Sequence, residues 1–272
     1  MGAFAMWNEP FVLRGLIAAL IMAVLAAPVG CLMIWKRMAY FSDSLSHSAL
    51  AGVLLGLFLG IGQNTGVALI VCLTALLLTR IPDRFVISTD LLLLIIGQTA
   101  LCAGITGLSY LPDVRTDLTA YLFGDVLSVT SDDLSFIVCA GTLCAALLIH
   151  NWKKMIFSAV MPDVAQSEGV HAAEQSAVFM LITALFVALA MKTTGLLLVS
   201  ALLIIPPCSA RLFSKTPEQM VVISMLSGVF CVVAGLSCSV YFDAPAAPAT
   251  ELICAFFFLV SCIKNKCHKK MI

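Results

Sequence analysis

Charge is what this chain has least of. Asp, Glu, Lys and Arg make up 11% of its 272 residues; about 25% is usual in a soluble domain. No sizeable soluble domain fits that composition. The 15 basic and 15 acidic residues cancel, so there is no basic field for nucleic acid. G-x-x-x-x-G-K-[ST] is missing, which excludes ATP binding through a Walker loop of the chain's own. So are H-E-x-x-H and G-x-S-x-G, two common hydrolase signatures. None of the 11 cysteines forms a C-x-x-C pair. Scattered singly through apolar runs, they read as small packing residues rather than disulfides or a thiolate metal site. Residues 1–15 lack the basic region and short apolar core of a cleaved signal peptide, so the first hydrophobic helix is expected to be retained.

What the chain does have is hydrophobicity. It is 61% apolar, with a mean hydropathy of +1.08. A spanning helix needs about 20 predominantly apolar residues. Such runs fall near 11–35, 39–62, 64–79, 88–109, 133–151, 174–192, 193–212, 218–242 and 247–264. The third is short, and the sixth and seventh run together. The reading is an all-α, polytopic transmembrane bundle of about eight or nine spans, folded as one domain over residues 1–272.

Lys and Arg set the orientation. Lys36, Arg37, Arg80, Arg84, Lys153, Lys154, Arg211, Lys215, Lys264, Lys266, Lys269 and Lys270 fall on one set of alternate loops and the tail, which is 12 of the 15 basic residues. Only Arg14, Arg115 and Lys192 fall on the other side. A nine-span path, N-terminus outside and C-terminus in the cytoplasm, satisfies this bias.

One stretch stands out, Tyr40 to Gly56, YFSDSLSHSALAGVLLG. It opens a hydrophobic helix with an aspartate, a histidine and four serines. Asp43 and His47 are four residues apart, so a helix puts both on one face. Ionisable residues in a span are costly and usually face a cavity or pathway. The bland alternative is a histidine satisfied by a neighbouring helix near the membrane surface. Of the four histidines only His47 lies well inside a span. His150 reads as interfacial beside Trp152, His171 as facing water, and His268 as part of a solvated basic tail. Counting 1.5 Å per residue from Ala39, Asp43 lies roughly 6 Å and His47 roughly 12 Å along the helix. The hydrocarbon half-thickness is about 15 Å. The pair is therefore expected between the inner face and the midplane.

Three further features carry information. The outer loop from Tyr110 to Asp133 puts Asp117, Tyr121 and Asp125 at i, i+4, i+8, a ligand-bearing face or simply a polar connecting helix. The inner loop from Met155 to Ala173 contains MPDVAQSEGVHA, in which Asp163 is placed to cap a short helix, Gln166 to complete a capping box and Gly169 to end it. This is either a docking element for a partner or a plain interfacial loop. Pro206 and Pro207, inside TTGLLLVSALLIIPPCSARLF, either break a helix at membrane depth or end a span at Ile205.

KRMAYFSDSLSHSALAG, TDLTAYLFGDVLSVTSDDL, MPDVAQSEGV, TGLLLVSALLIIPPCSARLF and SVYFDAPAAP resemble, in order and over nearly the whole chain, the motifs of the metal-uptake permeases of ABC transporters, those for zinc above all. The resemblance implies a multi-pass protein of the bacterial inner membrane that forms a homodimeric pore. It implies a separate cytoplasmic ATPase dimer and a periplasmic zinc-binding protein that delivers the ion. On that basis the chain is not itself an enzyme, holds no permanent cofactor, and has Zn2+ as its transported substrate. Asp43 and His47 match the family's metal positions. Pro162, Asp163, Ala165, Glu168 and Gly169 match its coupling helix, near 161–171. Gln98 stands where zinc permeases often carry a histidine, and glutamine is the weaker ligand. Gln98, Asp117 and Asp125 are thus candidate pathway residues. Two-fold symmetry in the dimer would bring two copies of Asp43 and His47 together, a nitrogen and oxygen set that zinc accepts. Manganese or ferrous iron would also fit. A stand-alone metal/proton transporter, with Asp43 and Asp90 as proton carriers, is the alternative from another class, and an intramembrane enzyme the remote third.

Overall fold

The computed structural model describes residues 10–80, 89–110, 124 and 126–270. Within them the chain forms α1 (Pro10–Trp35), α2 (Tyr40–Phe58), α3 (Gln63–Arg80), α4 (Thr89–Ser109), α5 (Ser131–Val160), α6 (Pro162–Ser167), α7 (Ala172–Arg211), α8 (Pro217–Phe242) and α9 (Ala246–Lys270). A single 3-10 turn, Val126–Ser128, precedes α5. Eight segments are long and apolar enough to cross a membrane; α3 adds a shorter apolar stretch, Gln63–Thr79. The expected eight or nine spans and short third segment are met. α5 extends nine residues beyond the expected end at 151, to Val160. Thr130 and Asp133 exchange capping hydrogen bonds at its start, a capping box with Asp in the usual Glu place.

α7 is the axis of the bundle. It packs on α1, α2, α3, α5, α8 and α9. It is two helices joined at Gly195, whose φ of 73° and ψ of 168° are open only to glycine. The sixth and seventh expected spans do run together, but the break lies at Gly195, not at the proline pair. The helix runs through Pro206 and Pro207 to Arg211. Proline leaves the carbonyl four residues earlier without its helical donor. For Pro207 that carbonyl belongs to Leu203, and the α-carbon of Gly30 in α1 is packed against it and against the Pro207 ring. A glycine with no side chain lets α1 close over the distorted turn. The backbone of Gly124 is packed equally tightly on Thr194 and Gly195 at the break.

α2 is held by small residues. A Cβ on Gly97 of α4 would meet Ser44 Cα at 2.8 Å, and one on Gly52 would meet Val67 Cα of α3 at 2.6 Å. Backbones this close exclude lipid and maximise dispersion contact, as usual in membrane bundles. The described cysteines are free, and Cys31, Cys144, Cys231 and Cys254 are buried. Cys231 of α8 and Cys254 of α9 are both buried, near enough for their thiols to interact.

α1 ends in a left-handed residue that is not glycine, Arg37 with φ 56°. Arg37 N donates to Ile34 O and Met38 N to Met33 O, satisfying the last carbonyls of the helix. The turn aims Lys36 and Arg37 at one end of the bundle. There they line a pocket with Arg211, the end of α7, and Ser158 to Val160, the end of α5. Basic residues that the charge bias assigns to the cytoplasm thus converge in space.

Candidate functional site

The polar residues of α2 differ in burial. Ser42, Ser44, Ser46 and Ser48 are all buried. Ser44 Oγ donates to Tyr40 O at 2.8 Å and is shared with Leu93 O of α4; Ser48 Oγ donates to Ser44 O at 2.7 Å. The Ser44 and Ser48 hydroxyls satisfy helix carbonyls, and Ser44 ties α2 to α4; the Ser42 and Ser46 hydroxyls are buried without a hydrogen-bond partner among the described residues. Asp43 and His47 lie on a less covered stripe with Tyr40, Ala51 and Leu54. Both are half-buried. The i, i+4 spacing keeps carboxylate and imidazole on one stripe, flanked on both sides by the buried serines, and that stripe is the less covered part of α2.

A third ionisable group lies within electrostatic range of Asp43. Glu251, half-buried on α9, lies near enough to Asp43 for their charges to interact. Two like charges within electrostatic range of each other in a span favour a cation or a proton nearby. Sequence reasoning missed Glu251, because 208 residues separate it from Asp43 and neither periodicity nor spacing links them. Its only signal was being an acid inside the last apolar run. Among the described residues no three His, Cys, Asp or Glu side chains converge closely enough to hold a metal ion.

The other expected pathway residues stand apart. Gln98 is exposed on α4, while Leu93, Gly97, Gly104 and Leu108 of that helix are buried. Gly97 and Gly104 are the positions that pack on α2. Asp117, Tyr121 and Asp125 lie outside the described residues. Asp90 sits half-buried in the first turn of α4. His150 and His171 are exposed.

The short inner helix forms, two residues earlier than its capping pattern suggests. Pro162 occupies the first helical position, suited by its fixed φ, and Met161 is the N-cap without a side-chain bond. Asp163 is thus no cap. It lies in the first turn, where a carboxylate complements the helix dipole. Gly169 ends the helix as expected, with φ 80°; its N–H donates to Gln166 O and that of Val170 to Ala165 O. Pro162, Asp163, Glu168 and Gly169 are exposed, whereas Ala165 is completely buried and seats the helix. Met161 and Val164 add apolar surface, 54% and 48% exposed.

The basic pocket opens beside this helix, since its wall includes Ser158 and Val160. Lys36 Nζ donates to Ser176 Oγ at 3.0 Å and lies 5.9 Å from the centre of the Phe179 ring. Burial pushes the Lys36 ammonium below its usual value.

Apolar helices around a broken axis, with ionisable side chains turned into the bundle, make an integral membrane transport protein. Residues 8–265 match the ABC 3 transport family. The chain is 35% identical to the high-affinity zinc uptake system membrane protein ZnuB of Haemophilus influenzae, over 92% of this chain and 96% of that one. It is 30% identical to the manganese import system permease protein ScaB of Streptococcus gordonii, over 92% and 90%. Among solved structures, PsaBC from Streptococcus pneumoniae in complex with Fab matches with a TM-score of 0.85 at 27% identity, covering 95% of this chain and 93% of that chain. This chain belongs to the ABC 3 transport family, as a multi-pass permease of the bacterial inner membrane. Membership removes the stand-alone metal/proton transporter from consideration.

Proposed function

We propose that this chain is the permease subunit of an ATP-driven zinc importer. It works as a homodimer with a cytoplasmic ATPase dimer and a periplasmic zinc-binding protein. The observation that carries the reading is the Asp43 and His47 pair, turned onto the open stripe of α2 within a chain so similar to the zinc uptake protein. Imidazole nitrogen and carboxylate oxygen are zinc donors. Without thiolates the station is weaker than a structural cysteine site, which suits an ion that must leave. A second copy of the pair, with Glu251 adding negative charge, completes a transient shell. The α6 helix, Pro162 to Gly169 with its exposed Asp163 and Glu168, is the docking element for the ATPase. Closure of the ATPase on nucleotide pulls on α6, and its seat at Ala165 passes the movement to α5 and α7. Hydrolysis takes place in the partner, and zinc is cargo rather than cofactor. The likeness to ScaB favours manganese as the second reading, since these donors discriminate poorly between the two ions.

Proteoliposomes holding the permease and its ATPase, supplied with zinc-loaded binding protein, test the proposal. Zinc accumulation is expected to need ATP and to resist an excess of manganese. Glu251→Gln is expected to slow accumulation severalfold without stopping it. Uptake that persists without the ATPase would remove the importer reading; uptake lost to competing manganese would transfer the chain to that metal.

A further inference from the structure

A second cavity opens at the basic end of the bundle, on the far side of a tryptophan pair from the pocket of Lys36, Arg37 and Arg211. It is a groove of 830 Å³ between α1, α5 and the start of α8. Its walls are apolar, with Val29 of α1, Leu148 and Ile149 of α5 and Met225 of α8 among them. Lys153 and Lys154 stand at its cytoplasmic end. Trp152 of this groove and Trp35 of the basic pocket pack with ring centres 6.3 Å apart. Among the described lining residues of both cavities none is acidic.

The depth of the groove is set by the helices that form it. Val29 lies about 9 Å below the end of α1 at Trp35, and Lys153 about 10 Å before the end of α5 at Val160, at 1.5 Å per residue. The apolar walls thus lie at the depth of the inner leaflet, and the lysines reach the headgroup level with their long stems. Tryptophan is the side chain most at home at that boundary. Basic pockets between helices on the cytoplasmic side suit anionic headgroups.

We propose that this groove binds one anionic phospholipid of the inner leaflet, its acyl chain lying along Val29, Leu148 and Ile149 and its phosphate held by Lys153 and Lys154. Charge decides against the other occupants. A zwitterionic lipid leaves the lysines without net gain. A second copy facing this groove across a two-fold axis would bring like charges together, with no acidic side chain in the described walls to pair them. Lys36, Arg37 and Arg211, across the tryptophan pair, add to the positive field that draws the headgroup in.

The test uses the full chain with its ATPase in nanodiscs of mixed phosphatidylethanolamine and phosphatidylglycerol. Native mass spectrometry after partial delipidation is expected to find one phosphatidylglycerol retained per permease chain. Lys153→Ala with Lys154→Ala, both exposed, should weaken that retention roughly thirtyfold, from about a fivefold effect per surface lysine. Ala145→Phe narrows the groove with no change of charge and should release the same lipid. A photoreactive phenylalanine replacing Ile149, which is 74% exposed, is expected to form adducts with lipid. Equal retention of phosphatidylethanolamine overturns the proposal. So does retention that neither variant changes, or adducts joining two permease chains.

Discussion

α2 and α6 handle polar residues in opposite ways. In α2 four serines are buried, Ser44 and Ser48 donating to carbonyls, and Asp43 and His47 are left on a half-covered stripe. In α6 almost everything is exposed, and one buried alanine holds the helix down. The first arrangement suits a small ion, which needs donors away from bulk water. The second suits a protein partner, which needs a presented surface on a firm seat. Separation of the two lets chemistry at one be altered without structural loss at the other.

That separation is the claim most open to attack. The largest effect is expected from His47→Ala, which should drop zinc uptake into cells to background while the permease still purifies with its ATPase. Near-normal uptake would show that the station lies elsewhere; loss of the complex would show that the two sites are not separable. Glu168→Lys should do the converse. Its charge is reversed on an exposed surface, so co-purification of the ATPase should fall about tenfold, within the range for charge contacts at interfaces, and zinc binding to the permease should be unchanged. Gly169→Ala should have the smallest effect. A side chain at positive φ costs about 1–2 kcal/mol, enough to loosen the end of α6 and lower ATPase-coupled uptake in part. A variant with full coupling would mean that the end of α6 does not transmit force.

Much of this was legible in the residues. Apolar runs placed the spans to within a few residues because a helix in lipid must satisfy its own backbone bonds, and only a long apolar segment can do so. The pair on α2 was legible because it obeys helical spacing. The limits of legibility have local causes. Pro206 and Pro207 look like the break in α7, yet the break is at Gly195, since a neighbouring glycine in α1 absorbs the distortion at the prolines. Asp163 looks like a cap, yet Met161 is the N-cap and Pro162 starts the helix two positions earlier than that reading puts it.

By itself the sequence determined the all-helical build, the placing of Asp43 and His47 on one stripe of a helix, and the short inner helix with its glycine end. Each rests on short-range physics: the period of a helix, the cost of charge in lipid, the φ preferences of proline and glycine. Tertiary packing alone decided which face of α2 stays open, which distant acid approaches Asp43, and that Lys36, Arg37 and Arg211 share one pocket. Those facts depend on how α2, α4, α7 and α9 settle against one another. Small residues such as Gly97, Gly104 and Gly30 set those distances through backbone contacts that hydrophobic periodicity does not encode.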